Sequence, residues 1–392
     1  MGSPASFSLM GQVLAPTMVL DGWAELTKSY AFEEFRAGAL GPNLVRKEPV
    51  GVAAGIIPWN VPLFIVALKL GAALAAGAPM ILKPSPETPL DAYLLAEVLD
   101  EIELPKGMVS ILPAGREVGE YLVRHPGVDK VSFTGSTAAG RKVGAACGEL
   151  LKPVTLELGG KSAAVVLDDV DLASALPLLM PSALMNNGEA CIAQSRILAP
   201  QSRYDEVVDA LTEAVRGQSV GDPADPTTAV GPLVAERQRD RVLGYIEKGR
   251  SEGAKLAVGG NRPAGLERGW YVEPTLFVDV DNGMTIAQEE IFGPVLSVIP
   301  YSDEADAVRI ANDSDYGLSG SVWTSDVDRG IEVAKQVRTG TYGINSFGTL
   351  DMRSPFGGYK ASGVGRELGP EGLGAYLETK TIVLPMDYTP PT

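Results

Sequence analysis

The sequence is poor in the residues that most often build metal sites and disulfide frameworks. Its 392 residues include two cysteines, Cys147 and Cys191, and one histidine, His125. Two cysteines in a chain of this length make neither a disulfide framework nor a paired zinc motif, and they favour a reducing, cytoplasmic setting. We therefore predict no catalytic metal. An activated cysteine would have only His125, in a polar loop, as a histidine base.

Positive charge and long apolar runs are scarce as well. The formal net charge is −16, and no Lys/Arg run interrupts the acidic balance, which argues against a nucleic-acid or anionic-membrane partner. The most apolar stretch, 51–82, carries one charge, Lys69, and is interrupted by Pro58, Pro62 and Pro79. No span of about 20 apolar residues survives there. The N-terminus has no basic region followed by an apolar core, so we predict no signal peptide.

Short apolar strands alternate with helices along most of the chain. The stretch that begins at residue 51 predicts a strand over 51–57, a turn, a helix over 63–77 and a strand over 79–83. Repeated alternation predicts an α/β fold with a doubly wound parallel sheet. A second set of strands and helices follows a boundary near 159–161 and predicts another α/β domain. We expect the first 35 residues to be helical, and the terminal strand in "YLETKTIVLPM" to pair with another element or subunit.

The stretch "NNGEACIAQSR" places Cys191 among small residues. We expect a tight loop that leads into a helix, where a cysteine can have a depressed pKa. Cys147, on an apolar helical face, is expected to pack in the core. With no histidine nearby in sequence, the candidate base for Cys191 is Glu157, at the end of an apolar strand. Burial there would raise its pKa towards that of a general base; the alternative is a glutamate facing solvent.

Three further motifs allow two interpretations each. In "FTGSTAAGR", Ser136 follows a strand and either binds phosphate at a helix N-terminus or only caps the helix. "LELGGKS" contains Lys161 and Ser162 but has Thr155 where a P-loop needs its first glycine, so we discount a P-loop. In "IPWNVP", Asn60 either donates to an oxyanion or closes an Asx-turn.

Eight motifs in this order resemble the NAD(P)-dependent aldehyde dehydrogenase superfamily from about residue 49 to 382. They are "IIPWN", "LKPS", "FTGSTAAGR", "LELGGKS", "NNGEACIAQSR", "EEIFGPV", "YGLSGSVW" and "SPFGGYKASGVGRELG". Any one of them is weak, whereas their common order is specific.

The resemblance implies a reaction in which Cys191 attacks an aldehyde and Asn60 holds the oxyanion. Hydride transfer would leave a thioester, which water activated by Glu157 would hydrolyse. Lys69 and Glu367 match positions that complete a proton path; the alternative for Lys69 is a snorkelling surface lysine. Relatives that transfer the acyl group to coenzyme A tend to lack the glutamate, so Glu157 favours hydrolysis.

The resemblance also implies a cofactor cleft and an apolar substrate pocket. The cofactor residues would be Ile57, Trp59, Lys83, Ser85, Gly115, Gly119, Phe133, Gly135, Ser136, Leu158, Gly159, Glu290 and Phe292. The substrate residues would be Trp59, Val61, Phe64, Met185, Ile192, Phe347 and Phe356.

The choice between NAD and NADP stays open, with NAD favoured. Many NAD-preferring members have a glutamate where this chain has Pro86, and Glu87 comes one residue later. No arginine flanks this motif in the sequence to hold a 2′-phosphate. The pocket has no fixed charge for a charged aldehyde, which favours a medium-sized aliphatic or aromatic aldehyde.

The implied domain organisation has three parts. Residues 1–34, 48–159 and 359–375 would form the cofactor-binding domain, 160–358 the catalytic domain, and 35–47 with 376–392 an oligomerisation element. Family members carry a further piece ahead of the matched region, so we expect part of the first domain to be missing. A catalytically silent nucleotide-binding homologue and a coenzyme A-acylating enzyme are therefore the alternatives to a homo-oligomeric aldehyde dehydrogenase.

Overall fold

A computed structural model describes residues 1–346 and 351–390 of the chain. Its strands, numbered in chain order, are β1 (Glu33–Arg36), β2 (Asn43–Pro49), β3 (Ala53–Ile56), β4 (Met80–Lys83), β5 (Val109–Ile111), β6 (Lys130–Thr134), β7 (Val154–Glu157), β8 (Ala163–Val166), β9 (Arg196–Pro200), β10 (Lys255–Val258), β11 (Thr275–Val278), β12 (Val295–Tyr301), β13 (Gly320–Trp323), β14 (Gly343–Ile344), β15 (Gly363–Val364) and β16 (Leu377–Val383).

The α-helices lie mostly between these strands. They are α1 (Ala5–Phe7), α2 (Ala15–Ser29), α3 (Pro62–Ala76), α4 (Leu90–Glu101), α5 (Arg116–Arg124), α6 (Thr137–Glu149), α7 (Leu172–Leu184), α8 (Tyr204–Arg216), α9 (Glu236–Ser251), α10 (Thr285–Gln288), α11 (Glu304–Asn312), α12 (Val327–Gln336) and α13 (Gly369–Gly374). A π-helical segment, Ser8–Leu14, joins α1 to α2.

The strands form three sheets. The first has the order β15-β7-β6-β3-β4-β5, and β7, β6, β3, β4 and β5 run parallel in it. The second has the order β10-β11-β12-β9-β8-β13-β14 and is parallel from β11 to β14. A third, antiparallel sheet has the order β1-β2-β16. Two parallel sheets with helices between their strands confirm the predicted α/β fold.

The predicted apolar strand–helix–strand unit is present. Strand β3 is buried throughout, α3 follows the proline-rich turn, and β4 pairs with β3 in parallel. Gly77 ends α3 in a left-handed conformation, with φ of 75°, which glycine adopts without strain. No helix in the described ranges is both long and apolar enough to cross a membrane.

One secondary-structure prediction is wrong in part, and one helix was not predicted. The N-terminal helical region ends at Ser29 rather than near residue 35, because Glu33–Arg36 pairs with β2 in the antiparallel sheet. Helix α7 was not predicted, since Pro177 and Pro181 interrupt its sequence. Both prolines are tolerated inside this helix, whose first turn is capped by Asp171.

Candidate active site

Cys191 lies in a turn between the 3-10 segment Met185–Gly188 and strand β9. The expectation that a helix follows it is wrong, since the chain passes directly into that buried strand. Burial raises the pKa of the Cys191 thiol to about 12, and the carboxylates of Glu290 and Glu157 add to the rise. The expected depressed pKa is therefore also wrong: backbone hydrogen bonds from Cys191 and Ile192 lower the pKa, but the loss of solvent and the nearby negative charge outweigh them.

Glu157 is the last residue of β7 and its side chain is 3% exposed. Neither of its carboxylate oxygens has a hydrogen-bond partner in the part of the chain that the structure describes. Burial raises its pKa well above the usual range, and the neighbouring Glu367 raises it further, whereas Lys69 and Arg366 oppose the rise. The alternative of a solvent-facing glutamate is wrong, and the side chain has the environment of a general base.

Lys69 and Glu367 form a buried ion pair beside this base. Lys69 is 0% exposed, so it is not a snorkelling surface lysine. Its Nζ lies 2.5 Å from Glu367 Oε1 and donates to Ser132 Oγ at 3.0 Å. Ser132 in turn donates to the same Glu367 oxygen at 3.3 Å. Lys69, the single charge of the apolar helix α3, thus forms a hydrogen-bonded network with Ser132 and Glu367. The charges of this network act on Glu157.

Asn60 connects the proline-rich turn to the Cys191 loop. Its Nδ2 donates to the carbonyl of Glu189, two residues before the cysteine, at 3.0 Å. The Asn60 carbonyl accepts hydrogen bonds from Gln12 Nε2 at 3.1 Å and from Asn186 Nδ2 at 3.0 Å. The amide therefore does not close an Asx-turn; it points to the nucleophile loop, and its second N–H can serve an oxyanion.

Glu189 is a candidate site residue that the sequence analysis missed. Its side chain is 1% exposed, and Oε1 accepts a hydrogen bond from the Val234 backbone at 3.1 Å. Burial raises its pKa well above the usual range. A carboxyl group two residues before the nucleophile in "GEAC" is the signal that could have identified it.

The predicted phosphate site lies where β6 meets α6. Ser136 caps α6 by accepting a hydrogen bond from the Ala139 backbone at 3.3 Å. The Gly135 N–H donates to the Glu157 carbonyl at 3.0 Å, which fixes this turn against the strand that holds the base. The capping role is therefore present, and a helix N-terminus of this length also suits a phosphate.

The predicted cofactor residues continue along the ends of the first sheet. A Cβ at Gly115 would meet nothing within 4 Å, and one at Gly119 would come 3.4 Å from the Lys83 side chain. Lys83 Nζ donates to the Ala114 carbonyl at 2.7 Å, and burial lowers its pKa. The remaining predicted wall residues, Ile57, Phe133 and Leu158, are buried.

An aromatic and an acidic group line the cleft near Cys191. Trp59 and Phe292 pack edge to face with ring centroids 5.3 Å apart. Glu290 accepts a hydrogen bond from the Gly160 backbone at 3.0 Å, and burial raises its pKa. A Cβ at Gly159 would lie 2.6 Å from a Glu290 oxygen, so only glycine lets this carboxyl group approach the loop. An aromatic pair, a buried carboxyl group and the N-terminus of α6 together fit a nicotinamide dinucleotide.

An arginine does lie beside the predicted adenine-ribose position, although none flanks it in sequence. Ser85 donates to the carboxylate of Glu87, and Glu87 pairs with Arg237 from the first turn of α9. Burial works to raise the pKa of Glu87, but its hydrogen bonds and Arg237 outweigh this and lower it. The argument from a missing arginine is wrong, because the catalytic part of the chain supplies one through the fold.

Most of the predicted substrate residues share one apolar cluster. Val61, Phe64, Ile192 and Phe356 pack in it together with Cys191. Met185 is half-buried at the start of the 3-10 segment before Cys191. Phe347 lies outside the described residues. No group of three or more metal-binding side chains occurs within 1–346 and 351–390.

The Aldehyde dehydrogenase family model matches residues 1–382. A geranial dehydrogenase of Castellaniella defragrans is 53% identical over 363 residues, which is 92% of this chain and 75% of the relative. A 3-succinoylsemialdehyde-pyridine dehydrogenase of Pseudomonas is 47% identical over 362 residues, with 92% and 75% coverage. The chain thus spans about three quarters of the length of these relatives.

Two solved structures are similar over nearly the whole chain. An aldehyde dehydrogenase of Mycobacterium tuberculosis complexed with NAD+ has a TM-score of 0.97 and 52% identity over 99% of this chain and 80% of that one. An aldehyde dehydrogenase mutant of Pseudomonas syringae, complexed with NAD+ and octanal, has a TM-score of 0.91 and 41% identity, with 95% and 76% coverage. With this site, this fold and these matches, the chain belongs to the aldehyde dehydrogenase family.

Proposed function

We propose that this chain oxidises an apolar aldehyde to its carboxylic acid, with Cys191 as nucleophile, Glu157 as general base and NAD as cofactor. The observation that carries the proposal is the buried, unpartnered carboxyl group of Glu157, close enough to Cys191 to raise the pKa of its thiol. A strand-end carboxyl group with no protein partner in the described chain is ready to accept a proton from water.

In the first half of the reaction, the Cys191 sulfur forms a bond to the aldehyde carbon, and the thiol gives its proton to water. The carbonyl oxygen becomes an oxyanion, to which Asn60 Nδ2 and the Cys191 N–H donate. When bound, the nicotinamide supplies the hydride acceptor. Because burial and nearby carboxylates raise the thiol pKa to about 12, Cys191 is protonated at neutral pH and must lose its proton as the carbon–sulfur bond forms.

In the second half, Glu157 takes a proton from water while the water oxygen attacks the thioester carbon. The carbon–sulfur bond then breaks, and the acid leaves as its carboxylate because its hydroxyl proton passes to the Cys191 sulfur and restores the thiol. Lys69 and Glu367, joined by a buried contact, carry the proton that Glu157 collects away from the site. An intact base favours hydrolysis over acyl transfer to coenzyme A.

NAD is the proposed cofactor because similar structures contain it. In addition, Arg237 forms an ion pair with Glu87 and is therefore not free to bind a 2′-phosphate. A carboxylate in this position accepts from ribose hydroxyls and repels a 2′-phosphate. The proposed substrate is a medium-sized apolar aldehyde. The cluster around Cys191 is apolar, and relatives are named for geranial or hold octanal.

The assembly and the domain bounds are proposals too. The cofactor domain would comprise 1–34, 48–159 and 359–375, and the catalytic domain 160–358. Strand β16 would extend the sheet of a neighbouring subunit from the element 35–47 and 376–392, giving a homodimer or homotetramer. A catalytic thiol must stay reduced, which supports the cytoplasm as its compartment.

A panel of aldehydes with NAD and NADP, followed by absorbance of the reduced cofactor, tests the proposed function. We expect turnover of octanal and geranial with NAD, no requirement for coenzyme A, and little turnover of a charged aldehyde. Reduced cofactor that appears only with coenzyme A would refute hydrolysis. NAD binding without turnover of any aldehyde would indicate a silent homologue.

A further inference from the structure

The discounted P-loop-like motif lines a small buried cavity that the proposed reaction does not use. Its lining includes Lys161, Ser162, Arg196, Tyr316 and Tyr342, and we call it the Lys161 cavity. It lies at the amino ends of the parallel strands β8, β9 and β13. The cavity has about 10 Å³ of space for the centre of a small occupant, which is room for a single small molecule or ion.

Three polar groups of this lining have no partner in the described part of the chain. They are Lys161 Nζ, Ser162 Oγ and the Tyr342 hydroxyl, each buried at the atom concerned. Lys161 is 2% exposed and Ser162 is 4% exposed. Buried donors without acceptors cost about 1–3 kcal/mol each, and more when charged, so a shared occupant that accepts from all three would remove a large penalty.

The cavity also has an excess of positive charge. Arg196 is 1% exposed, and its guanidinium donates to the carbonyls of Lys161, Ile310 and Ala311 and to Asn282 Oδ1, at 2.9 to 3.1 Å. All these partners are neutral. No carboxylate lies within ion-pair distance of Lys161 or Arg196 among the described residues, and no acidic residue belongs to the lining.

Acidic groups surround the cavity only at longer range. The charges of Glu290 and Glu289 act to raise the pKa of Lys161, without an ion pair to it. The charge of Asp313 acts in the same way on Arg196. Burial and the Arg196 charge lower the pKa of Lys161 to about 7. The ammonium thus lacks a counter-ion at contact distance, which is the situation that buried charges in proteins generally avoid.

We propose that the Lys161 cavity binds one small monovalent anion, chloride or a similar halide, held by the Lys161 ammonium and the Ser162 and Tyr342 hydroxyl groups. An anion accepts from all three donors and balances the charge. A water molecule would satisfy hydrogen bonds but leave Arg196, and Lys161 wherever it is protonated, without a counter-ion, and phosphate is too large for the space. The lining contains neither Cys191 nor Glu157.

Thermal unfolding of the full chain in chloride and in gluconate, at constant ionic strength and pH, tests this site. For wild type we expect a saturable rise of about 3 °C when chloride is a hundred times its dissociation constant. The Lys161→Met variant should lose the rise. Lys152→Met is the matched control, because Lys152 is a partly buried lysine that donates to the carbonyls of Val123 and His125; its chloride response should stay intact.

A second variant and a crystal keep the test decisive if Lys161→Met does not fold. Tyr342→Phe removes one donor and should weaken chloride binding about tenfold. Crystals grown in bromide should give an anomalous peak between Lys161 and Tyr342. An equal chloride response in wild type and Tyr342→Phe, no response in wild type, or a cavity peak without anomalous signal would each overturn the anion site in favour of water.

Discussion

Replacing Lys69 by methionine removes the one charge of helix α3 and leaves Glu367 without its counter-ion. The Lys69 side chain is 0% exposed and that of Glu367 is 4% exposed. Without Lys69, the Glu367 carboxylate stays buried and retains the hydrogen bond from the Ser132 hydroxyl. A buried charge pair adds little net stability over an apolar pair, whereas breaking it by removing one partner is strongly destabilising.

The expected loss is about 3–5 kcal/mol, the range measured when one partner of a buried pair is removed. A chain of 392 residues has an unfolding entropy of about 0.8 kcal/mol/K near its melting temperature. Lys69→Met should therefore lower the melting temperature by about 4–6 °C. The variant should also raise the pKa of Glu157 further, because Lys69 opposes the rise caused by burial and Glu367.

Thermal denaturation and the pH dependence of thioester hydrolysis measure the two effects separately. Since Glu157 acts as a carboxylate, hydrolysis rises with pH through its raised pKa, and in Lys69→Met this limb should move to higher pH. The double variant Lys69→Met/Glu367→Gln should lose less stability than Lys69→Met alone, because it leaves no unpaired charge. Losses that simply add, or a limb that stays in place, would refute the buried-pair reasoning.

Four other outcomes are expected. Cys191→Ala should abolish aldehyde oxidation while NAD binding, followed by fluorescence quenching, persists; residual turnover would exclude Cys191 as the nucleophile. Glu157→Gln should slow steady-state turnover about 10²–10⁴-fold while leaving a burst of reduced cofactor, and a missing burst would place its role before hydrolysis. Glu87→Ala should free Arg237 and raise kcat/KM for NADP relative to NAD, whereas an unchanged ratio would show that this pair does not read the ribose. Ser136→Ala should lower stability by about 1 kcal/mol in chemical denaturation and raise the KM for NAD; a change in stability alone would leave Ser136 as a helix cap only.

The sequence predicted the elements whose pattern is set locally. Alternating apolar strands and helices gave the α/β fold, and a charged residue within apolar surroundings singled out Glu157 and Lys69. The family motifs then assigned roles that periodicity could not assign. Helix α7 was missed because local proline rules argue against it, although packing against α8 and the second sheet stabilises it.

Interactions between distant segments account for what the sequence could not predict. The pKa of Cys191 depends on Glu290, about a hundred residues away, and on burial by a fold that no local motif describes. Arg237 meets Glu87 only because two α/β units face each other. The contact of Asn60 with the Glu189 carbonyl joins residues far apart in the sequence, and only the structure shows it.

The three-stranded sheet has a consequence for handling the protein. Strand β16 pairs with β2 along one edge only, and most of its residues are exposed. An unpaired edge is a template for any other extended chain. Val383, 72% exposed, and Met386, 78% exposed, add apolar surface beside it. If neighbouring subunits cover this edge, dissociation would uncover it, and dissociated subunits would aggregate more readily than the assembled protein at the same concentration.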